Sequence, residues 1–513
     1  MESLLLAVDV GTSACKLAVF RPDGSVAAEC AKSYATYHPA PGWAEQDPDE
    51  WWERISEGIG ECLAKGKIDP ARIAAVGVDG QSWSCVPVGR DGEALCRTPI
   101  WLDTRCAELC ARVNAEVGAE RILALSGNPF QPFYTTPKIL WFRENRPGLY
   151  HRARKFLQSN SYVVLRLTGA FSQDASQGYG LHVFDVARGG YDDAMCRELG
   201  IERDLLPDVS PCHGVVGAVT PEAAGRTGLK AGTPVVAGGL DAACAALGAG
   251  VCSPGMTQEQ GGQAGGMSIC LDRPLKSEAL ILSPHVVPGQ WLLQGGSVGG
   301  GGSLRWFAKE FGGPERQTEE ETGKNRFALL DELAASVPAG SGGVVFLPYL
   351  SGERSPVWDP DACGVFFGLD YGKTRAHCAR AVLEGAAYAL EHNLEAAERC
   401  GAAVGAMRSV GGAANSRLWT QIKADVTGKT IEVPDSDNAA TLGAAILAGV
   451  GVGVYSGFED AVRRTVRVRR THRPDPEAHK IYREYFPIYT EIYRRLKPTM
   501  AKAARISGKN EVQ

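Results

Sequence analysis

Residues 4–20 read Leu4-Leu5-Leu6-Ala7-Val8-Asp9-Val10-Gly11-Thr12-Ser13-Ala14-Cys15-Lys16-Leu17-Ala18-Val19-Phe20. The apolar run 4–8 is a buried strand, Asp9 to Ser13 is a polar turn, and β-type residues resume over 14–20 ahead of Arg21-Pro22-Asp23-Gly24. A strand, a tight turn and a second strand therefore open the chain, with a carboxylate beside Gly11 and Thr12. Backbone amides of such a hairpin can bind phosphate oxygens, because glycine lets the chain approach closely. Asp9 is then placed for a hydrated Mg²⁺, with Lys16 in reach of the same phosphates. A plain hairpin with an Asx-type turn satisfies the local pattern equally.

The same grammar continues outward. Asp47-Pro48-Asp49-Glu50 opens a helix with an N-cap residue, Pro at its first position and acids in its first turn, and Trp51, Ile55, Ile59 and Leu63 share one face. A strand over 73–78 ends at Asp79-Gly80-Gln81-Ser82-Trp83, and a second ends at Pro99-Ile100-Trp101-Leu102-Asp103. From about residue 105 to 229 the pattern is mainly helical, and a strand over 234–237 then runs into Gly238-Gly239-Leu240-Asp241. In the second half, strands at 267–271, 291–294 and 344–347 alternate with helices at 303–310, 327–335, 375–399, 416–427 and 438–449. This alternation predicts an α/β chain with two domains, 1–245 and 246–498, meeting near residues 241–261. A C-terminal helix over 476–497 is expected to kink or break at Pro487, and the tail from Thr499 is expected to fray.

Composition narrows the function. A chain of 513 residues is too long for one small fold, and 54 Lys plus Arg against 59 Asp plus Glu leaves no basic surplus for a polyanion. Nucleic acid is thus an unfavoured partner. No run of 18 uncharged apolar residues exists, and the start lacks a signal-peptide pattern, so no membrane partner is expected. The 15 cysteines contain no C-x-x-C, which suits reduced thiols in a cytoplasmic protein. Glycine is in excess, at 62 residues.

No G-x-G-x-x-G or Walker A loop accounts for those glycines. Separate turns do: Gly11-Thr12-Ser13, residues 261–266, residues 299–302 and residues 411–416. Asp241, after a strand and a Gly-Gly turn, suits either a helix cap or a general base accepting the proton of a substrate hydroxyl. Gln81, Ser82, Trp83 and Asp103 offer an amide, a hydroxyl, an aromatic face and a carboxylate, a set suited to a polyol. Packing of Trp83 and pairing of Asp103 with Arg105 are the alternatives. One competing pattern is Gly295-Gly296-Ser297-Val298-Gly299, a G-x-S-x-G elbow that would need an acid and one of His377, His392, His472 or His479.

Phe133-Tyr134-Thr135-Thr136-Pro137-Lys138-Ile139-Leu140-Trp141-Phe142-Arg143-Glu144-Asn145 resembles the first signature of the FGGY carbohydrate kinases, and residues 364–369 with 377–384 resemble the second, with Cys378 where a larger aliphatic residue is usual. Residues 41–48, 348–356 and 411–416 are similar to further blocks of that family. The resemblance implies two ribonuclease-H-like, actin-type ATPase domains with a cleft between them, and an ATP- and Mg²⁺-dependent kinase acting on a small sugar. It implies Asp241 as catalytic base and substrate contact, Asp9 and Asp241 near the metal, and Gly11, Thr12 and Lys16 near the phosphates. Gly262, Ala264 and Gly265 correspond to a second phosphate loop, Gly301 and Arg305 to a turn and helix approaching the nucleotide, and Gly412, Asn415 and Ser416 to the adenosine turn. A homodimer is a family-level expectation.

Within the family the chain is most similar to xylulokinases, and residues 438–476 also resemble autoinducer-2 kinases. D-xylulose is the first expectation for the substrate. Trp83, where a histidine is common, and Ala242, in place of an asparagine, keep other ketopentoses, gluconate, polyols and the autoinducer-2 precursor open. A sugar or nucleotide sensor without turnover is the reading from another class.

Overall fold

The computed structural model describes residues 3–435 and 438–506. The chain divides into two compact units. The first holds Met1–Ser253, Cys270–Leu292 and Asn438–Arg467, and the second holds Pro254–Ile269, Leu293–Asp437 and Val468–Gln513. The chain passes between the two units more than once.

In the first unit the opening hairpin forms as expected: β1, Leu4–Val10, pairs antiparallel with β2, Ala14–Phe20, and β2 with β3, Val26–Ser33. On its other side β1 pairs in parallel with β4, Ile73–Gly80. β5, Val215–Ala218, β6, Pro234–Val236, and β7, Gly239–Leu240, complete the sheet, in the order β5-β6-β4-β1-β2-β3, with β7 also parallel to β4. β1 is buried at every position, as expected for a central strand covered on both faces. One cover is the helix Pro48–Lys65, capped by the Asp47 side chain, whose Trp51, Ile55 and Ile59 are fully buried.

Two small-residue helices, Asp241–Gly248 and Ala439–Gly451, also pack within this unit. A Cβ at Gly248 would lie 1.8 Å from the Ala439 carbonyl oxygen, and one at Gly443 1.9 Å from that of Cys244. Glycine here serves backbone-to-backbone packing as well as turns, which accounts for part of its excess.

The second unit carries β8, Thr257–Gly261, β9, Gly265–Leu271, β10, Trp291–Ser297, β11, Met407–Val410, β12, Ile431–Pro434, and β13, Val468–His472. They neighbour one another in the order β10-β9-β8-β11-β12-β13, with β8 antiparallel to β9 and parallel to β11. The first sheet contains the corresponding run β3-β2-β1-β4-β6, so the two halves repeat one topology without a close residue-level repeat.

Three expectations change. The C-terminal helix runs unbroken over Pro476–Ile506 with Pro487 and Pro498 inside it. Its aromatic face overrides the proline: Tyr482, Phe486 and Tyr489 are buried, Tyr489 and Tyr349 share a hydroxyl hydrogen bond of 2.8 Å, and Tyr493 donates to Asp359 at 2.7 Å. Met500 and Ala504 are buried too, so the segment from Thr499 to Ile506 is ordered helix, while the rest of the expected tail lies outside the described residues. The strand expected to end at Asp103 is only Thr98–Pro99, since Asp103 N–H donates to the Ile100 carbonyl in a turn. The helix Gly313–Thr322, almost wholly polar, gave no apolar period to read.

Candidate active site

In the first unit, β1, β4 and β7 run parallel and end together, at the edge where open α/β sheets present ligand-binding loops. Asp9 lies opposite Asp79 in the register, Asp79 opposite Gly239, and Gly80 opposite Leu240, so Gln81 and Asp241 leave the sheet side by side. Three carboxyl groups are thus gathered at one edge. Asp9 and Asp79 are both buried, at neighbouring register positions of β1 and β4. Burial and the flanking Asp9 and Asp241 push Asp79 well above the carboxylate range, and neither of its oxygens has a hydrogen-bond partner. Burial raises Asp9 as well, against the pull of Lys16, its register partner on β2.

Asp241 opens its helix at the first helical position rather than as the cap, which is Leu240. One of its oxygens accepts the Ala242 N–H at 2.6 Å, and burial followed by the Asp9 charge raises it to about 7. A carboxyl tuned to that range suits proton transfer at neutral pH. Asp79 was visible in the sequence only as a strand end; the recurrence of Asp at the ends of successive apolar strands was the signal available.

The Gly11-Thr12 turn is held on three sides. Tyr34 donates its hydroxyl proton to the Gly11 carbonyl, Gln46 Nε2 donates to the Thr12 carbonyl at 2.6 Å, and Trp101 Nε1 donates to Thr12 Oγ1 at 2.9 Å. Gln46 Oε1 in turn accepts from Trp51 Nε1 at 3.1 Å and from Gln81 Nε2 at 2.8 Å. Fully buried Gln46 therefore joins the hairpin to Gln81. Replacing it by Leu strips a partner from two buried donors, at a cost of about 1–3 kcal/mol each. Gln46→Leu is expected to lower kcat/KM at least tenfold, by loosening both the hairpin and Gln81, with the native circular-dichroism spectrum kept. Steady-state kinetics and spectra on the same preparation check this.

Beyond Gln81 the chain turns sharply: Trp83 adopts φ +58°, in the left-handed region that costs a bulky residue roughly 1–2 kcal/mol. Lys138 of the first signature holds it there, donating from Nζ to the carbonyls of Trp83, Ile100 and Phe133 at 2.7–2.8 Å. Lys138 is completely buried without a salt bridge, and that burial lowers it to about 8. The Trp83 ring packs against Tyr134, Phe133 and Tyr179 at centroid distances of 4.4, 5.2 and 5.5 Å. Ser82 Oγ accepts the Tyr179 hydroxyl at 2.8 Å, while Gln81 Oε1 and Trp83 Nε1 are buried without partners.

Asp103 departs from its expected role. It is fully buried and both oxygens are committed, Oδ2 to Ala44 N–H and Arg105, and Oδ1 to the main-chain N–H and Nε of Arg105. Arg105 also bridges to Glu45 and lies 3.7 Å above the Trp43 ring. A carboxylate beside a buried guanidinium pairs with it, so Asp103 holds the frame instead of facing a sugar.

In the second unit the glycine turns meet at the carboxyl ends of parallel β8 and β11. The tip of the β8–β9 hairpin packs directly on the start of the helix Gly301–Phe311: Gly301 and Gly302 donate their N–H groups to the carbonyls of Gly262 and Gln263 at 2.8 Å each. A Cβ at Gly300 would fall 2.3 Å from Ala264 and Gly265. The Gly301 amide is thus taken by the neighbouring turn and is not free for a phosphate. Gly262, Gly301, Arg305, Gly412, Asn415 and Ser416 line a cavity of about 450 Å³, which Ala264 and Gly265 do not line. Arg305 donates to Gln263, and Arg469 to Asn415 Oδ1 at 2.7 Å. Sequence reasoning missed the opposite wall, Asn325, Phe327, Ala328 and Asp331.

Beneath these turns lies a buried ion pair, Lys423 to Glu259 at 2.5 Å, with Ser409 donating to the second Glu259 oxygen. The hydrolase pattern fails: Ser297 donates to Glu353 at 2.9 Å. His377 caps a helix, His472 meets Gln421, His479 meets the Asp425 carbonyl and His392 packs on Phe486.

The N-terminal domain of the FGGY family of carbohydrate kinases matches residues 4–248, and its C-terminal domain matches residues 266–452. The chain is 29% identical over 499 residues to a xylulose kinase of Bacillus subtilis, covering 96% of this chain and 97% of that one. It is 27% identical to a gluconokinase of Bacillus licheniformis, with 97% of each covered. The crystal structure of xylulose kinase from Rhodospirillum rubrum superposes with a TM-score of 0.88 at 30% identity, over 97% of this chain and 100% of that one. The chain belongs to the FGGY family of carbohydrate kinases and is an ATP-dependent sugar kinase.

Proposed function

We propose that the kinase phosphorylates the terminal hydroxyl of D-xylulose to give D-xylulose 5-phosphate and ADP. The observation that carries the reading is Asp241, a carboxyl raised to about 7, emerging beside Gln81 at the strand edge that also holds Asp9 and Asp79. Asp241 takes the proton as the substrate oxygen bonds to the γ-phosphorus and the bond to ADP breaks. Gln81 Oε1 accepts a sugar hydroxyl proton, Trp83 Nε1 donates to a sugar oxygen, and Ser82 supplies a further contact; two of these atoms are buried and otherwise unpartnered. Thr12 and Lys16, with the Gly11 turn held by Tyr34, Gln46 and Trp101, receive phosphate. The cavity of the second unit, with Gly412, Asn415 and Ser416 on one wall, takes the adenosine.

Mg²⁺ fits this donor set. Among the described residues no three His, Cys, Asp or Glu side chains are placed to cage a metal. Mg²⁺ is usually bound by one or two carboxylates together with substrate phosphate and water, which Asp9 with Asp241 beside it can offer. When bound, the ion neutralises charge on the β- and γ-phosphates. The use of ATP and the 15 free cysteines suit a cytoplasmic protein, and no helix among the described residues is long and apolar enough to cross a membrane.

Gluconate is the second reading, favoured by the gluconokinase likeness over 97% of the chain. ADP release is to be measured with Mg²⁺ and ATP across D-xylulose, L-xylulose, D-ribulose, L-ribulose, gluconate, glycerol and the autoinducer-2 precursor. A kcat/KM for D-xylulose at least tenfold above the rest supports the assignment; a gluconate optimum transfers Gln81 and Trp83 to a sugar-acid site. No turnover with any of them would overturn the substrate assignment.

A further inference from the structure

The helix Arg326–Ala335 presents Phe327, Ala328 and Asp331 to the second unit's cavity, as their spacing of three and four residues requires, while Leu330 and Ala334 are buried on the other face. Most polar atoms around this cavity are already used. Asn325 Oδ1 accepts the N–H groups of Phe327 and Ala328, Asn415 Oδ1 accepts from Arg469, and Arg305 donates to Gln263. Ser416 Oγ accepts the Trp419 N–H at 2.9 Å and hydrogen-bonds to the Asp331 carboxylate. That leaves Asp331 Oδ1, buried and without a partner in the cavity wall. A desolvated carboxylate oxygen left unpaired costs free energy, so it is a site built for a donor.

We propose that Asp331 is the residue that selects the nucleobase, its free oxygen accepting the 6-amino group of adenine while Ser416 holds the other oxygen. This rests on the cavity taking adenosine, as argued above. With one oxygen engaged by Ser416, the carboxylate offers a single acceptor, matching one exocyclic amine. A 6-keto purine would set oxygen lone pairs against the negative charge, and loss of a charge-assisted hydrogen bond together with that repulsion discriminates by about thirtyfold or more.

The test uses the full chain and ATP, ITP and 2′-deoxyATP, with the best sugar as acceptor, and calorimetric binding of ADP and IDP without sugar. The wild type is expected to favour ATP over ITP, and ADP over IDP, at least thirtyfold. Asp331→Asn, whose amide can donate to a 6-keto oxygen, is expected to bring both ratios within threefold and leave the ATP to 2′-deoxyATP ratio unchanged. Equal binding of ADP and IDP by the wild type overturns the inference without reference to any variant. An ATP to 2′-deoxyATP ratio that collapses instead overturns it in favour of a ribose contact. If neither ADP nor IDP binds, both this inference and the adenosine cavity fail, whereas ADP selectivity with no sugar turnover upholds Asp331 and rejects only the sugar.

Discussion

Asp241→Asn is expected to lower kcat by about 10³-fold or more, beyond the usual 10²–10⁴ range only if the variant also disturbs Asp9, while apparent sugar and nucleotide affinities stay within about tenfold. The amide keeps the shape and the contact to the Ala242 N–H is the one it can lose, but no oxygen remains that can take a proton. A second signature separates this from simple misfolding. Asp241 titrates near 7 in the folded protein against an ordinary 3.8, so without metal or nucleotide the folded state binds more protons between those values. Stability from this group therefore falls as pH rises through that window, and the aspartate is a burden above it. Asp241→Asn should be as stable as the wild type at pH 4 and more stable by a few kcal/mol at pH 8, read by denaturant unfolding in EDTA. Near-normal turnover would remove Asp241 from the mechanism.

Lys423→Met is expected to cost about 3–5 kcal/mol of stability in the second unit, because it leaves Glu259 buried without its cation. Both side chains are about 4% exposed, and Lys423 also lies 4.9 Å from the Trp419 ring. Gly261, at the root of the β8–β9 hairpin, is held close to the same ammonium: a Cβ there would meet it at 3.2 Å. The double variant with Glu259→Leu should recover most of the loss, since apolar replacement of a whole buried pair is often neutral. Chemical denaturation of the single and double variants checks this, and an unimpaired Lys423→Met would show the ion pair to be dispensable for stability.

The strand-forming core was legible because its pattern is local. Residues 4–20, the cap at Asp47 and the helix Arg375–Arg399 follow from apolar period and capping chemistry, and the structure has each of them. What sequence could not supply was the state of a polar side chain once surrounded. Asp103 and Asp241 are both aspartates at the ends of short apolar segments; the buried guanidinium of Arg105 makes the first a strut, whereas burial and the Asp9 charge raise the second. Asp79, Gln46 and Asp331 escaped notice for the same reason, since their importance lies in partners distant in sequence or in having none. Pro487 shows the converse, a strong local signal overruled by an aromatic seam.

The helix Ala439–Gly451 belongs to the first unit although about 160 residues of the second are threaded before it. On a ribosome adding roughly 5–20 residues per second, β1 and β4 would wait on the order of 20–90 s for the helix that covers them. During that interval Gly77 and Gly248 face no backbone, and an apolar sheet face stands exposed. An apolar face left open for that long invites aggregation, and no single break in the chain leaves the first unit whole.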